Sequence, residues 1–467
     1  MSDILGQFSA ATAPDRVLPG DTNDDYSHDE ALSGVPQRPL AVVIPTTTAE
    51  VAAILRIANE HVIPVTARGS GAGVSGAVIP RSDGIVISFE RMRRIEIDEE
   101  NMVAIVQPGA TLAELDEVAA KHSLVYPVLP GEHSASLGGN IGTNAGGSRA
   151  VKYGVTRHNV LGLEMVLPSG AVLRSGGKFV KVSSGYDLTQ LIVGSEGTLA
   201  LVTEATLRLY PRPAHQATVL APFHGLADVM RAVPRILGTG ISPTTLEYID
   251  AGTMNAITQE FDLKLGIPGD VRDRALAYLA VIMEGRRADR LEGDVEELAE
   301  HLARLGAIDV YVLPLGAGKA LMEAREQSFW LGKRAGLHDL VDVVVPRASI
   351  CDYMTAVSRI GRIRSAIING CGHAGDGNIH LAIYKEDPDE RITVMRELLQ
   401  AGIALGGAIS GEHGIGTVKK RYFQALEDPE KLELLRRIKT AFDPNGILNR
   451  GVVFDWPGGS EAAAASR

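Results

Sequence analysis

Two glycine-rich stretches, Arg68-Gly-Ser-Gly-Ala-Gly-Val-Ser-Gly76 and Ser136-Leu-Gly-Gly-Asn-Ile-Gly-Thr-Asn-Ala-Gly-Gly147, constrain this chain more than anything else in it. Backbone without side chains can approach a neighbour or ligand closely, and the N–H groups exposed in such a turn make an anion-binding nest. Gly71, Gly73 and Gly76 match G-x-G-x-x-G behind a strand expected over 62–66. A Rossmann fingerprint must, however, open a helix, and residues 77–84 carry Pro80 and no helical periodicity. No G-x-x-x-x-G-K-[ST] element occurs. A surface turn would explain the first stretch alone. Two such loops, the second supplying Asn140, Thr143 and Asn144 as hydrogen-bonding partners, point to a large, flat, phosphate-bearing ligand.

At 467 residues the chain exceeds one hydrophobic core, which stops growing near about 250–300 residues, so two domains are expected. A net charge of -11 without a basic tract argues against a nucleic-acid partner. Neither a signal peptide nor a run of about 18 apolar residues is present, which makes a cytoplasmic location the expectation. Cys351 and Cys371 are too few for a disulfide framework or a Cys-ligated iron–sulfur cluster, so any such cluster would sit on another chain.

Residues 1–37 are polar and acidic and are expected to be a loosely ordered lead-in, with structure beginning near Leu40. Ala41-Val-Val-Ile-Pro45 predicts a strand, and Thr47 with Glu50 a capping box opening a helix that carries Val51, Ile54, Leu55 and Ala58. Thr111 and Glu114 predict a second box. Two prolines close a first domain near Pro211 and Pro213. Beyond it, helical patterns such as 291–305 alternate with apolar strands such as 278–283 and 341–346. That alternation suggests an α+β or ferredoxin-like lobe. The Ala-rich end, 456–467, is expected to fray.

A second constellation joins Gly372-His-Ala-Gly-Asp-Gly-Asn-Ile-His-Leu381 and Ser410-Gly-Glu-His-Gly-Ile-Gly416. Gly375 and Gly377 disfavour a helix, so a loop delivering His373 toward a strand carrying His380 is expected. Two imidazoles and the Glu412 carboxylate suit Zn²⁺, with Mn²⁺ or Fe²⁺ as alternatives, and leave positions open for substrate oxygens. Solvated turn histidines are the competing explanation.

The glycine-rich stretches, with Lys152-Tyr-Gly-Val-Thr156 and Gly194-Ser-Glu-Gly-Thr-Leu199, resemble the FAD-linked oxidases and dehydrogenases of the vanillyl-alcohol oxidase type. The fold implied is α+β: a two-subdomain, PCMH-type FAD-binding domain over 38–213 and an α+β, ferredoxin-like substrate and metal-binding cap over 214–425. Residues 426–455 would then return to the flavin as helix and strand. The resemblance implies noncovalent FAD, since the first loop has no His for a covalent link. It places the cofactor on Arg68, Gly69, Ser70, Gly71, Ala72, Gly73, Ser75, Gly76, Ser136, Gly139, Asn140, Thr143, Asn144, Gly147 and Gly154. Glu196 and Gly197 would sit near the adenosine, Asn449 near the flavin end, and Val202 completes the set.

The two His-containing segments are similar to those of the metal-dependent branch comprising D-lactate dehydrogenases, D-2-hydroxyglutarate dehydrogenase and the flavin-bearing chain of glycolate oxidase. That similarity implies His373, His380 and Glu412 as metal ligands, His413 as base and Arg325 as the cation for the substrate carboxylate. The reaction implied is metal-assisted proton abstraction from a D-2-hydroxy acid with hydride transfer to flavin N5. Ala382 stands where hydroxyglutarate-specific relatives carry Asn, which favours a smaller acid such as lactate or a more apolar one. Expected partners are that acid and an external electron acceptor: a quinone, an electron-transfer protein or an iron–sulfur subunit. A homodimer and a peripheral inner-membrane location fit the same reading. Competing readings are an oxidase of glycolate or a related acid using O₂, a hydroxyglutarate dehydrogenase, a zinc hydrolase, and a non-catalytic flavin-binding subunit.

Overall fold

A computed structural model describes residues 2–455, and the Ala-rich end expected to fray lies outside them. Three apolar strands, Ala41–Val43, Ile85–Ser88 and Val65–Arg68, lie parallel and side by side in a first sheet. The helix Thr48–Glu60 buries Val51, Ile54, Leu55 and Ala58, the positions at helical spacing. A second, five-stranded antiparallel sheet follows in the spatial order 95–98, 103–106, 201–208, 160–166, 172–176. The helix Leu112–Ala120 packs beside it and begins with the full reciprocal box between Thr111 and Glu114.

The third sheet has seven antiparallel strands, in the order 311–313, 215–223, 277–285, 245–250, 367–373, 378–384, 339–344. In chain order its first four strands and the helices Leu226–Leu237 and Ala288–Arg304 run βαββαβ, with the helices Ala251–Glu260 and Gly269–Arg274 inserted between the second and third strands. Their spatial order is fourth, first, third, second, so a ferredoxin-like unit is present and is extended by three further strands. Period-two alternation gives the sheet two different faces. Leu246, Tyr248, Ile379, Leu381 and Ile383 face a large core under the helices Leu226–Leu237, Ala288–Arg304, Ile350–Arg364 and Pro388–Ala404. Glu247, Cys371, His373, His380 and Ala382 point the other way and line a cavity that opens toward the glycine loops.

The C-terminal helix Pro429–Phe442 returns to the first half of the chain. Lys439 Nζ, buried, donates to Asp443 Oδ2 (2.5 Å), Thr198 O (2.7 Å) and Leu448 O (2.9 Å). Beyond the helix, Val65 N donates to Ile447 O and Asn449 N to Val65 O, laying the chain alongside Val65–Arg68.

Two expectations are corrected. Residues 1–37 are not a loose lead-in: Ser2–Ala11 is a helix that buries Phe8 in one core with Ile54 and Leu55, and Val17–Pro19 pairs with Ala41–Val43. A polar composition hid this, because the docking rests on a few scattered apolar residues, Ile4, Leu5, Phe8 and Val17, and on one ion pair. Arg16 makes two hydrogen bonds to Glu50 (2.6 and 2.7 Å), and that carboxylate also accepts from Thr46 N (2.7 Å) instead of closing the expected box on Thr47. The second glycine stretch is not a plain loop either. Its first part, Leu137–Thr143, is a short helix capped by Ser136, and a Cβ on Gly138 would stand 2.6 Å from Pro108 Cβ. Close packing, not flexibility, explains that glycine.

Phe8→Ala should cost about 3–5 kcal/mol through the cavity left in a sealed core, read as a lower urea midpoint. The Arg16 ion pair, with Thr46, lowers the Glu50 pKa to about 2 from its ordinary 4.5. A depressed carboxylate contributes stability above its unfolded pKa and loses it as the pH falls. The melting temperature should therefore drop between pH 4.5 and 2; Glu50→Gln should flatten that part of the profile, and an unchanged slope would refute the assignment.

Candidate functional site

Cross-strand register assembles the site. Glu247 lies opposite His373, Cys371 opposite His380, and Asp342 opposite His380 on the other side, all on one face of the large sheet. The hairpin joining 367–373 to 378–384 turns through Gly377, whose φ of +91° glycine adopts without strain. Both histidines thus sit on strands, and His373 is the last residue of its strand rather than part of a loop.

The turn 410–413 is wound around a single carboxylate. Asp342 is fully buried, and its Oδ2 accepts from Ser410 Oγ (2.7 Å), Gly411 N (3.0 Å), Glu412 N (3.0 Å) and His413 N (2.8 Å). Its Oδ1 accepts from Asn378 Nδ2 (2.8 Å). Burial works against ionisation here, but nearby His413 and Lys419 hold the Asp342 pKa well below the usual range. The turn wound around this oxygen delivers Glu412 and His413 toward the two strand histidines.

Glu412 Oε1 stands 3.3 Å from His373 Nε2, 3.2 Å from His380 Nε2 and 4.0 Å from His413 Nε2. Behind these ring nitrogens, Glu247 is hydrogen-bonded to His373 Nδ1, Asp342 Oδ1 lies 3.6 Å from His380 Nδ1, and Asp342 Oδ2 lies 3.8 Å from His413 Nδ1. A carboxylate behind each imidazole presents Nε2 forward, as in metal sites. The three Nε2 atoms converge on Glu412 Oε1, and Glu412 Oε2 is buried without a hydrogen-bond partner. The donor set of two imidazoles and a carboxylate therefore fits a divalent cation on His373, His380 and Glu412. Asp342, His380, Glu412 and His413 also offer atoms within 4.8 Å of one another. In that group Asp342 Oδ2 already accepts four hydrogen bonds and Oδ1 one.

Burial opposes charge on His373, but Glu247 and Glu412 outweigh it and raise its pKa well above the ordinary value. The His413 pKa goes the other way, down to about 4, chiefly through burial. Its imidazole is neutral and able to accept a proton. Arg325, on the helix Leu315–Glu326, places Nη2 2.8 Å from Glu247 Oε2 and leaves Nε buried without a hydrogen-bond partner.

The same cavity, about 380 Å³, runs from these residues to the glycine loops. Gly69, Ser70, Gly71, Ala72, Gly73, Ser75, Ser136, Gly139, Asn140 and Thr143 line it, as do Arg325, His373, His380, Glu412 and His413. The two glycine segments are locked together: Ser70 Oγ accepts from Ser136 N (3.1 Å), and a Cβ on Gly69 would stand 1.9 Å from Ser136 Oγ. Asn140 Nδ2 is buried without a partner at this wall. A cradle of bare backbone with a waiting amide fits a flavin diphosphate.

Other residues expected at the cofactor do not line the cavity. Arg68 turns back to donate to His28 O (2.7 Å), and Gly76 packs where a Cβ would stand 2.3 Å from Thr417 Oγ1. Asn144, with φ +53°, ends the short helix, Gly147 meets Leu129 O, and Gly154 meets His158. Val202 is paired within the second sheet. Glu196 instead accepts from Ile415 N (2.8 Å) and Gly416 N (2.7 Å), joining the first half of the chain to the segment that carries Glu412. Asn449 donates to Glu196 O (2.6 Å) and accepts from Ala67 N (3.1 Å), and a Cβ on Gly197 would stand 3.1 Å from the same Asn449 amide. Glu196, Gly197 and Asn449 thus form a joint beneath the cavity.

Sequence reasoning missed Glu247 and Asp342. Both are acidic residues inside otherwise apolar strands, Leu246-Glu-Tyr-Ile249 and Val341-Asp-Val-Val344, and a carboxylate there needs a buried partner.

The chain matches two protein families: "FAD binding domain" over residues 39–176 and "FAD linked oxidases, C-terminal domain" over residues 212–453. An uncharacterized FAD-linked oxidoreductase of Mycobacterium tuberculosis is 52% identical over 456 residues, 97% of this chain and 99% of that one. A D-lactate dehydrogenase of Anaerostipes hadrus is 37% identical, with 94% and 95% covered, and the glycolate oxidase subunit GlcD of Bacillus subtilis is 38% identical, with 92% of each covered. In fold, the chain is similar to 4-ethylphenol oxidase from Gulosibacter chungangensis, at a TM-score of 0.79, 19% identity and coverage of 98% and 97%. It is equally similar to p-cresol methylhydroxylase, at a TM-score of 0.79, 18% identity and 97% of each chain.

Asp342→Ala should lower activity or metal content by about 10–100-fold, the usual effect of losing a group that orients metal ligands. Elemental analysis of the purified protein, beside an unchanged far-ultraviolet dichroism spectrum, checks this; full metal content and activity would refute the role given to Asp342.

Proposed function

The chain belongs to the FAD-linked oxidases and is an FAD-linked oxidoreductase; on that premise we propose that it oxidises a D-2-hydroxy acid of the lactate kind to the 2-oxo acid. The observation that carries this is one cavity shared by the glycine cradle and the cluster His373, His380, Glu412 and His413. A cofactor laid in the cradle meets a substrate held at the cluster with no second chamber between them. The relatives named D-lactate dehydrogenase and glycolate oxidase subunit GlcD support the same substrate class.

When bound, noncovalent FAD would supply the hydride acceptor and a divalent cation on His373, His380 and Glu412, Zn²⁺ by its donor set, would make the substrate hydroxyl more acidic. The residues of this chain do the rest. Arg325 binds the substrate carboxylate through the guanidinium face that Glu247 leaves free. His413, held through its backbone N–H by Asp342, accepts the hydroxyl proton at Nε2. Glu412 Oε1 and His413 Nε2 stand 4.0 Å apart, so one can ligate while the other meets the hydroxyl of a substrate held beside it. Electrons would leave to an external acceptor: a quinone, an electron-transfer protein or an iron–sulfur subunit. Among the described residues no helix is long and apolar enough to cross a membrane.

Anaerobic addition of a D-2-hydroxy acid to the holoenzyme should bleach the visible flavin band, and prior chelation should slow the bleaching. His413→Gln should reduce the rate of flavin reduction by about 10²–10⁴-fold with the flavin still bound, the range for loss of a general base. Bleaching at the parent rate in this variant would remove the base, and no bleaching by any 2-hydroxy acid in the parent protein would remove the reaction.

A further inference from the structure

Beyond His380 the cavity changes character. Along the strand Asn378–Tyr384, alternate residues share a face, so His380, Ala382 and Tyr384 follow one another along the cavity wall. At about 3.3 Å per residue, Ala382 stands about 7 Å and Tyr384 about 13 Å from His380. Register puts Leu340 on one side of Ala382 and Asn369 on the other. Phe329 and Leu337 also line the wall here. The floor is therefore low at Ala382, and the space over it is bounded by carbon at Leu340, Phe329 and Leu337, with the Asn369 amide as its polar edge.

The charges lining the cavity are equally one-sided. Arg325 is its one Lys or Arg among the described residues, and that guanidinium is already ion-paired with the buried Glu247. Glu326, the next residue, also lines the cavity. One carboxylate has a cation to meet. A second carboxylate on the same substrate, carried toward Ala382 and Tyr384, would be taken out of water with no Lys or Arg to meet it.

Resting on the reaction proposed above, we infer that the physiological substrate is a monocarboxylic 2-hydroxy acid whose side chain is apolar and several carbons long. With its carboxylate at Arg325 and its hydroxyl at His413, the side chain extends over Ala382 between Leu340 and Asn369 toward Tyr384. Lactate, which ends in a methyl group, leaves this space unfilled. Malate and 2-hydroxyglutarate carry a second charge into it.

The test is anaerobic flavin reduction by the holoenzyme with D-lactate, D-2-hydroxy-4-methylpentanoate, D-3-phenyllactate, D-malate and D-2-hydroxyglutarate. The longer apolar acids should exceed lactate in kcat/KM by about tenfold or more, as extra methylenes in a fitted apolar pocket do. Both dicarboxylates should fall below lactate. Ala382→Phe should reverse the ratio of 4-methylpentanoate to lactate by filling the floor. Lactate as the best monocarboxylate, or a dicarboxylate equal to it, overturns this inference and leaves the reaction standing. Failure of all five acids with loaded flavin and metal overturns the reaction, and the inference with it.

Discussion

A carboxylate with no access to water organises the site. Asp342 sits in an apolar strand, where an unpaired charge would be costly, and it is stabilised there by three backbone N–H groups and a hydroxyl on one oxygen. That demand runs in both directions. The strand cannot keep the charge without the turn 410–413, and the turn has no helix or sheet of its own to define it. Glu412 and His413 therefore take their directions from a residue about seventy positions earlier in the chain, and the adjacent His380 and His413 rings lie nearly parallel, 18° apart, in front of it. Glu247 plays the matching part three strands along the same sheet, bridging Arg325 and His373.

Rigidity at this point serves the chemistry. Positioned groups contribute to catalysis only if their geometry precedes the substrate. Here Nε2 of three imidazoles faces one small volume, while each Nδ1 faces a carboxylate on the sheet. The second carboxylate of importance, Glu196, reaches across from the first half of the chain to the N–H groups of Ile415 and Gly416. Burial raises its pKa, and the two N–H donors work against that rise. The loop bearing Glu412 and His413 is thus anchored from the substrate side by Asp342 and from the cofactor side by Glu196, which fixes the distance between the two halves of the cavity.

Much of the fold was legible in local pattern. Helix 48–60 followed from apolar spacing, the box at Thr111 from two residues, and the ferredoxin-like lobe from alternation of strand and helix. Docking of the N-terminal helix was not, since Phe8 and the pair Arg16–Glu50 do their work through partners more than thirty residues away. Glycines misled in an instructive way. Gly138 is small because Pro108 is close, and Gly76 because Thr417 is close, and neither reason is visible without the neighbour.

By itself the sequence determined the chemical inventory: a glycine cradle suited to a diphosphate, two histidines and a carboxylate in glycine-flanked segments, and one arginine for an anion. Composition and motif suffice for that, because residue type decides what a group can bind. Which of those groups meet was decided only by tertiary structure. Register across the large sheet, and not spacing along the chain, brought Glu247 to His373 and Asp342 to His380, and the same register put Leu340 and Asn369 beside Ala382. For the same physical reason Glu196 bonds to Ile415 and Gly416, and Asn449 to Glu196 and Ala67. A buried polar group goes where its hydrogen bonds are completed, and those partners come from distant parts of the chain.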